Sequence, residues 1–375
     1  MPSPRKAGAA KMNFSGVRAP RLQQTNQSSP MIRRKKSDSD WCAKAARVGE
    51  LLPTTSWHPA VLAGIVRRKK AEPWCIAFSG GADSLALLLS LWAHFPERRA
   101  GFVALHFNHR LRGRASAVDA KFCQRVCREL GLRCRVGVWR EAKAGVNEAA
   151  ARAARHGFFN REMTKLGANK LWLAHQQDDI AETMLMRLAR GSGTGGLAAP
   201  RPVQVMSDGR QHLRPFLTLK KSGLIAALRE AGVVWREDAS NAGDDFFRNR
   251  VRRTVLPAWA KAAGRDALGG AALARERLEE DDEALEVWLG QLSALKRGTL
   301  DLDRLADAPR AIWRRALHRW LVAVRPETDL SRQGFDQLLR AVEAGKTTRF
   351  SLGAKAFAII RNGQLTLKKR PSIPI

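Results

Sequence analysis

The chain has no tyrosine, and only 35 aspartates and glutamates stand against 66 lysines and arginines in 375 residues, a formal net charge of +31. Without tyrosine, any stacking on a nucleic-acid base falls to tryptophan, phenylalanine, histidine or arginine. A field of that sign favours a polyanionic partner, nucleic acid before membrane. The cations recur along most of the chain, which describes an extended basic surface more than one sticky tail. A general bias toward arginine would also raise the charge, but would not by itself spare the acids of the motifs described below.

Cysteine is scarce as well. Cys42, Cys75, Cys123, Cys127 and Cys134 form no Cys-x-x-Cys pair. Cys123 and Cys127 share one face of an expected helix without the further ligands that zinc or an iron–sulfur cluster needs. Reduced, buried thiols in a reducing compartment are the expectation. No apolar run approaches the ~18 to 20 residues of a membrane span, and the N-terminal stretch lacks the apolar segment of a secretory signal. The expected location is cytoplasmic, with no membrane partner. At the Ser79-Gly80-Gly81 step, neither the Gly-Lys-Ser/Thr of a Walker loop nor the Gly-x-Gly-x-x-Gly of a dinucleotide fold follows.

What is present centres on residues 74–95, WCIAFSGGADSLALLLSLWAHF: a short apolar run, a Ser-Gly-Gly turn and an apolar helix. Gly80 and Gly81 permit positive φ and remove Cβ atoms, so backbone N–H groups can close on an anion where the helix dipole favours negative charge. The expected anion is a phosphate. A Gly-Gly turn with Asp83 or Ser84 capping a helix is the alternative. The string SGGADS resembles the signature of the PP-loop ATP pyrophosphatases, which split ATP between the α and β phosphates. The resemblance implies that Ser79, Gly80, Gly81, Ala82 and Ser84 form the pyrophosphate cradle and that Asp83 approaches Mg²⁺.

Along the chain, residues 1–50 are rich in Ser, Pro, Gly, Arg and Lys and read as a disordered basic arm. A targeting segment, an RNA-attracting tail and a misassigned start at Met12 or Met31 are alternatives for it. Residues 57–70 read as a helix, 74–77 as the first strand and 101–107 as the second. A helix through Val118, Phe122, Val126 and Leu130 follows, then a strand over 133–139, a helix over 147–166 and a fourth strand over 170–174. Alternation of this length means parallel βαβ units, whose ligands collect beyond the carboxyl ends of the strands. Residues 190–199, RGSGTGGLAA, read as a mobile segment, either a lid or a linker. The acidic run at 279–283 reads as a solvated helix face. Short strands over 347–352, 356–361 and 364–367 include an Asn362-Gly363 hairpin turn.

Directly after the fourth strand stands His175-Gln-Gln-Asp-Asp179-Ile-Ala-Glu182-Thr. A helix beginning near Asp178 places Asp179 and Glu182 on one face, with Asp178 available as its cap. Two carboxylates and an imidazole at a strand end suit magnesium coordination and the handling of a nucleophile. A capping box with acidic first-turn residues is the alternative.

LHFNHRLRG, NEAAARAARH, LAHQQDDIAETMLMRLARGSGTGGL, LRPFLTLKK and DASN followed by FRNRVRRTVLP occur in an order that resembles the tRNA(Ile)-lysidine synthetase family over residues 74–257. The resemblance implies ATP-dependent ligation of free L-lysine to C2 of the wobble cytidine of tRNA(Ile) with a CAU anticodon. The route is an adenylated cytidine, and codon reading changes from AUG to AUA. It implies catalytic roles for Asp83, His175, Asp179 and Glu182, ATP contact by Arg155, RNA contact by Arg248, Arg250 and Arg252, and Mg²⁺ on Asp83 and Asp179. Gln176, Arg110 and His156 depart from the family's pattern.

The expected fold is an α/β parallel-sheet PP-loop domain over residues 51–257, with a helical tRNA-binding region over 258–325 and a small α+β element over 326–375. A homodimer is the candidate assembly. The alternatives are a PP-loop tRNA cytidine thiolase, against which the absence of paired cysteines counts, and a non-catalytic basic RNA-binding protein.

Overall fold

A computed structural model describes residues 40–65, 72–110, 114–139, 148–237, 247–324, 330–353 and 356–369. The predicted arm as far as residue 39, the end of the HRLRG turn and the DASN step lie outside them. The chain begins with helices α1 (Trp41–Leu51) and α2 (Pro59–Ala63), then β1 (Trp74–Ala77), α3 (Ala82–His94), β2 (Phe102–Asn108), α4 (Arg114–Glu129), β3 (Arg133–Val138), α5 (Glu148–Leu166) and β4 (Lys170–Trp172). Next come α6 (Gln177–Leu188), α7 (Thr194–Leu197), β5 (Val203–Val205), β6 (Gln211–Leu213), α8 (Lys221–Glu230) and α9 (Phe247–Arg250), which runs through a π turn (Val251–Val255) into α10 (Leu256–Ala263). The remainder is α11 (Ala267–Leu292), β7 (Leu295–Lys296), β8 (Thr299–Asp301), α12 (Arg310–Ala323), α13 (Arg332–Glu343), β9 (Thr348–Ser351), β10 (Ala356–Arg361) and β11 (Gln364–Lys369).

The first sheet has the order β3-β2-β1-β4-β6-β5. All its pairs are parallel except the edge pair β5–β6. Both faces are covered, which explains why the strands read as unbroken apolar runs. Trp74, Ile76, Phe102, Ala104 and Trp172 point to the side of α1, α3, α4 and α8. Cys75, Val103, Leu105 and Leu171 point to Phe158, Phe159 and Met163 of α5. Successive strands after β1 build outward to one side through β2 and β3, and the chain then returns to add β4 on the other. The crevice between the carboxyl ends of β1 and β4 is therefore the topological switch point, where ligands of such sheets bind.

The predicted disordered arm ends earlier than residue 50. Trp41, Ala45, Val48 and Leu52 recur at helical spacing and are buried in the same core as α3, with Trp41 edge-on to Phe122 at 6.1 Å. Burial of that stripe makes α1 a structural helix of the first domain.

The predicted boundaries at 257/258 and 325/326 do not follow the packing either. Leu256, Ala271 and Ala272 share a core with Ile180 and Ala181 of α6, so α10 and the first part of α11 belong with the first domain. Leu289 at the far end of α11 instead joins Ile312, Leu317 and Trp320 of α12, Leu338 of α13 and the strands β8, β10 and β11 in one core. The helical region and the C-terminal element are thus a single module. Its sheet is antiparallel in the order β7-β8-β11-β10-β9, and Asn362 and Gly363 both take positive φ in the β10–β11 turn. The strand pairs β5–β6 and β7–β8 had no counterpart in the sequence reading, although Asp208-Gly209 marks the first turn.

Candidate active site

The turn after β1 is prefolded. Gly80 takes φ +89, and a Cβ there would meet Cys123 Sγ at 3.0 Å, so the position admits glycine for both its torsion and its space. Ser84 Oγ accepts the Ser79 amide at 3.2 Å and donates to the Gly81 carbonyl at 3.1 Å, while Ser79 Oγ accepts the Gly81 amide at 3.3 Å. Gly81 is the N-cap of α3, Ala82 its first residue, and Asp83 lies in its first turn. The Gly80 carbonyl accepts the amide of Arg236 at 3.0 Å, and the Arg236 guanidinium bonds Asp119 at 2.8 Å. The segment after α8 is thereby pinned to the loop.

The start of α6 differs from expectation. Its N-cap is Gln176, whose side chain accepts the Asp178 amide, and Asp179 Oδ2 accepts the Gln176 amide at 3.1 Å to complete a capping box. Asp178 caps a different helix: its Oδ2 accepts the Lys221 amide at the start of α8 at 3.0 Å. The Lys221 ammonium lies 3.9 Å from Asp83 Oδ2. One residue, overlooked in the sequence, therefore ties the glycine loop to the acidic helix.

Asp179 and Glu182 do converge, and two arginines meet them. Arg248 reaches Asp179 Oδ1 at 2.7 Å and Glu182 Oε2 at 2.8 Å, and Arg252 reaches Glu182 Oε2 at 2.9 Å. Arg248 and Arg252 are four apart, on one face of the α9 helix and its π turn. Arg250 and Arg253 face outward and are exposed. Of the three arginines expected at RNA, two are on the carboxylates and one is at the surface.

A cavity of about 370 Å³ opens at the carboxyl ends of β1, β2 and β4, lined among others by Ser79, Asp83, Ser84, Arg152, Arg155 and His175. Its wall is rich in cations. Burial, with Arg152 and Arg248 nearby, pushes Arg155 down to about 10, and burial with Arg152 does the same to Arg214. Burial and the same arginines hold His175 well below the usual histidine range and push His156 down to about 4. Arg152, one turn before Arg155, was not singled out in the sequence; the α-helical spacing of three residues was the available signal. Such a wall is destabilised by its own charge and is suited to an anion carrying several charges.

Burial raises Asp83 to about 6, an effect the Lys221 ammonium opposes, and it raises Asp179 against the pull of Arg248. Among the described residues Asp83 Oδ1 is buried with no hydrogen-bond partner, whereas both Asp179 oxygens are engaged. An orphaned carboxylate oxygen beside a phosphate-type loop fits a hard divalent cation that takes most of its ligands from phosphate and water. Asp83 therefore fits Mg²⁺ as it stands. Asp179 fits only on sharing an oxygen with Arg248 or releasing it.

The family described as PP-loop domain matches residues 58–259, more than half of the sequence. The chain belongs to the PP-loop domain family. The Ser79–Ser84 turn at the switch point lies within the matched residues. The chain is similar to the tRNA(Ile)-lysidine synthase of Bacillus subtilis strain 168, 40% identical over 216 residues that cover 56% of this chain and 45% of that protein. It is 37% identical over 280 residues to that of Geobacter sulfurreducens, covering 70% and 57% of the two chains. To that of Xanthomonas campestris pv. campestris strain 8004 it is 37% identical over 298 residues, covering 76% and 66%. The chain thus spans about half to two thirds of the length of these curated relatives. Among the described residues of this PP-loop protein, no helix is long and apolar enough to cross a membrane.

Proposed function

We propose that the chain is an ATP-dependent ligase that joins free L-lysine to C2 of the wobble cytidine in tRNA(Ile) with a CAU anticodon. The observation that carries this reading is one cation-rich cavity lined by Ser79, Asp83 and Ser84 of the loop and by His175 at the head of the acidic segment, with Lys221 bridging Asp83 and Asp178 of that segment. Similarity to the three lysidine synthases supports the choice of amine and base.

In this reading Ser79, Gly80, Gly81 and Ser84 hold the β and γ phosphates of ATP, and Arg152 and Arg155 neutralise phosphate charge from the α5 side. Asp83, with a share from Asp179, would hold Mg²⁺, which supplies Lewis-acid stabilisation of the phosphate oxygens. The cytidine O2 attacks the α-phosphorus, the bond to the bridging oxygen breaks, and pyrophosphate leaves with that electron pair. The lysine ε-amine, entering deprotonated, then bonds to C2, AMP leaves with the C2–O pair, and one amine proton passes to solvent. Asp179 and Glu182 already bind cations through Arg248 and Arg252. An ammonium group of free lysine is the same class of ligand and would replace a guanidinium there. Arg250 is proposed to contact RNA from the exposed side of α9.

The test is purified protein with ATP, Mg²⁺, radiolabelled lysine and the CAU-anticodon tRNA(Ile) transcript. Lysine-dependent label in the RNA, with AMP and pyrophosphate in equal amounts, is expected. No incorporation of lysine, with label instead entering from a sulfur donor, would sink the reading. The thiolase alternative is disfavoured by Cys75 and Cys123, which are fully buried and whose thiols burial pushes up, the opposite of what a sulfur carrier needs.

A further inference from the structure

His175 is the one imidazole on the acidic segment, and its hydrogen bonding narrows what it can do. Arg214 Nε donates to His175 Nδ1 at 3.2 Å. Arg214 is itself fixed, with Nη1 on the Arg201 carbonyl at 2.7 Å and Nη2 on Gln204 Oε1 at 3.0 Å, and it is only 4% exposed. A guanidinium has donors and no acceptor, and Arg214, pushed down to about 10 by burial, still carries its proton at neutral pH. Nδ1 must therefore present its lone pair, and the single proton of the neutral ring must sit on Nε2.

We propose that Arg214 is a positioning residue that locks His175 in its Nε2–H form, so that His175 serves as a hydrogen-bond donor to an oxygen of the reacting phosphate. This rests on the ligase reading above. The alternative role, a base that removes the amine's proton through Nε2, is closed, because Nε2 is already protonated and Nδ1 is covered. The surroundings agree: burial and the guanidiniums of Arg214, Arg248, Arg152 and Arg155 disfavour a second proton on the ring. A donor of fixed direction acts where charge develops on the α-phosphate as O2 attacks, without transferring its proton. The anchors Arg201 and Gln204 flank and lie in β5, so the short antiparallel edge of the sheet has the task of holding Arg214.

Two measurements test this, and only the second depends on the substrate. In full-length protein labelled with ¹⁵N-histidine, the two-bond ¹⁵N–¹H pattern of His175, assigned by subtraction with His175→Gln, is expected to be that of the Nε2–H tautomer. In Arg214→Met the pattern is expected to move toward a mixture. A wild-type ring that is Nδ1–H or doubly protonated overturns the proposal. In tRNA-dependent AMP release, His175→Gln, whose amide nitrogen falls near the place of Nε2, is expected to keep kcat within about tenfold. His175→Asn, whose amide nitrogen falls near that of Nδ1, is expected to lose about 10²-fold or more in kcat with KM for ATP little changed. Equal losses in the two variants overturn the donor role. Failure of lysine incorporation with the Nε2–H pattern intact would count against the ligase reading and leave the tautomer lock standing.

Discussion

Glu182 is 1% exposed and takes hydrogen bonds from both Arg248 and Arg252; its loss leaves Arg248 with Asp179 at 2.7 Å and Arg252 with Asp179 only at 3.9 Å. Removing one member of such a cluster typically costs about 3–5 kcal/mol, chiefly because the remaining charge is left unpaired. Glu182→Gln is therefore expected to lower the urea midpoint strongly, and Glu182→Gln with Arg252→Met to recover part of the loss. A double-mutant cycle with additive losses would show that the pair is not coupled. His212 gives a second residue-level expectation. It is 4% exposed, and burial followed by Arg214 and Arg152 pushes it down to about 4 from 6.5. Between those pH values the unfolded chain binds a proton that the folded chain refuses, so the contribution is full above pH 6.5 and is lost as pH falls toward 4. The shift of 6.5 − 4 corresponds to about 3 kcal/mol. Asp83, raised to about 6, works in the opposite sense over the same interval, so the difference between wild type and His212→Gln is the quantity to follow. Urea midpoints measured from pH 7 to pH 4 should fall less in His212→Gln; parallel curves would refute the assignment.

At the scale of elements, the glycine-rich segment after α6 is packed where the sequence suggested mobility. A Cβ on Gly195 would stand 2.8 Å from Asp282 Oδ1. That carboxylate is 4% exposed, accepts Thr194 Oγ1 at 3.2 Å and Arg315 at 2.6 Å, and pairs with Arg201. Glu280, Asp281 and Glu283 are exposed, as a solvated acidic face requires, and Asp282 is the exception: it ties α7, α11 and α12 together, the joint between the first domain and the C-terminal module. Gly195→Val is expected to destabilise the protein by about 1–3 kcal/mol through overpacking. An unchanged thermal midpoint would mean that the segment yields freely. The contrast shows what could be read without coordinates. β1 to β4 and the glycine turn were legible because local patterns, apolar runs and a Ser-Gly-Gly step, determine them. The fates of Arg248, Arg252 and Asp282 were not, because their partners lie 66, 70 and 81 residues away. A charge run looks the same in sequence whether it is solvated or paired. Helix α1 was obscured by the polar stretch before it, although Trp41, Ala45 and Val48 carried its period.

Over the whole molecule, the net charge of +31 sets how the protein would meet the RNA of the proposed reaction. Each phosphate neutralised releases condensed counterions, so log affinity for tRNA should fall linearly with log salt, with a slope of roughly 0.7–0.9 per phosphate contact. The arginines after α8 divide this work by the face on which they stand. Arg250 is exposed, whereas Arg248 and Arg252 are occupied by Asp179 and Glu182. Arg250→Ala is therefore expected to weaken tRNA binding about equally for any sequence and to reduce the salt slope by about 1. Arg252→Ala is expected to lower the midpoint, since it unbalances Glu182, and to leave the slope closer to that of the wild type. Filter binding of the CAU-anticodon transcript between 50 and 200 mM salt, roughly the range over which six or more contacts cost ~10³ in affinity, separates the two. If instead Arg252→Ala flattens the slope and Arg250→Ala does not, RNA binding must pull Arg252 off Glu182, and the inward face of α9 is the one that reads the nucleic acid.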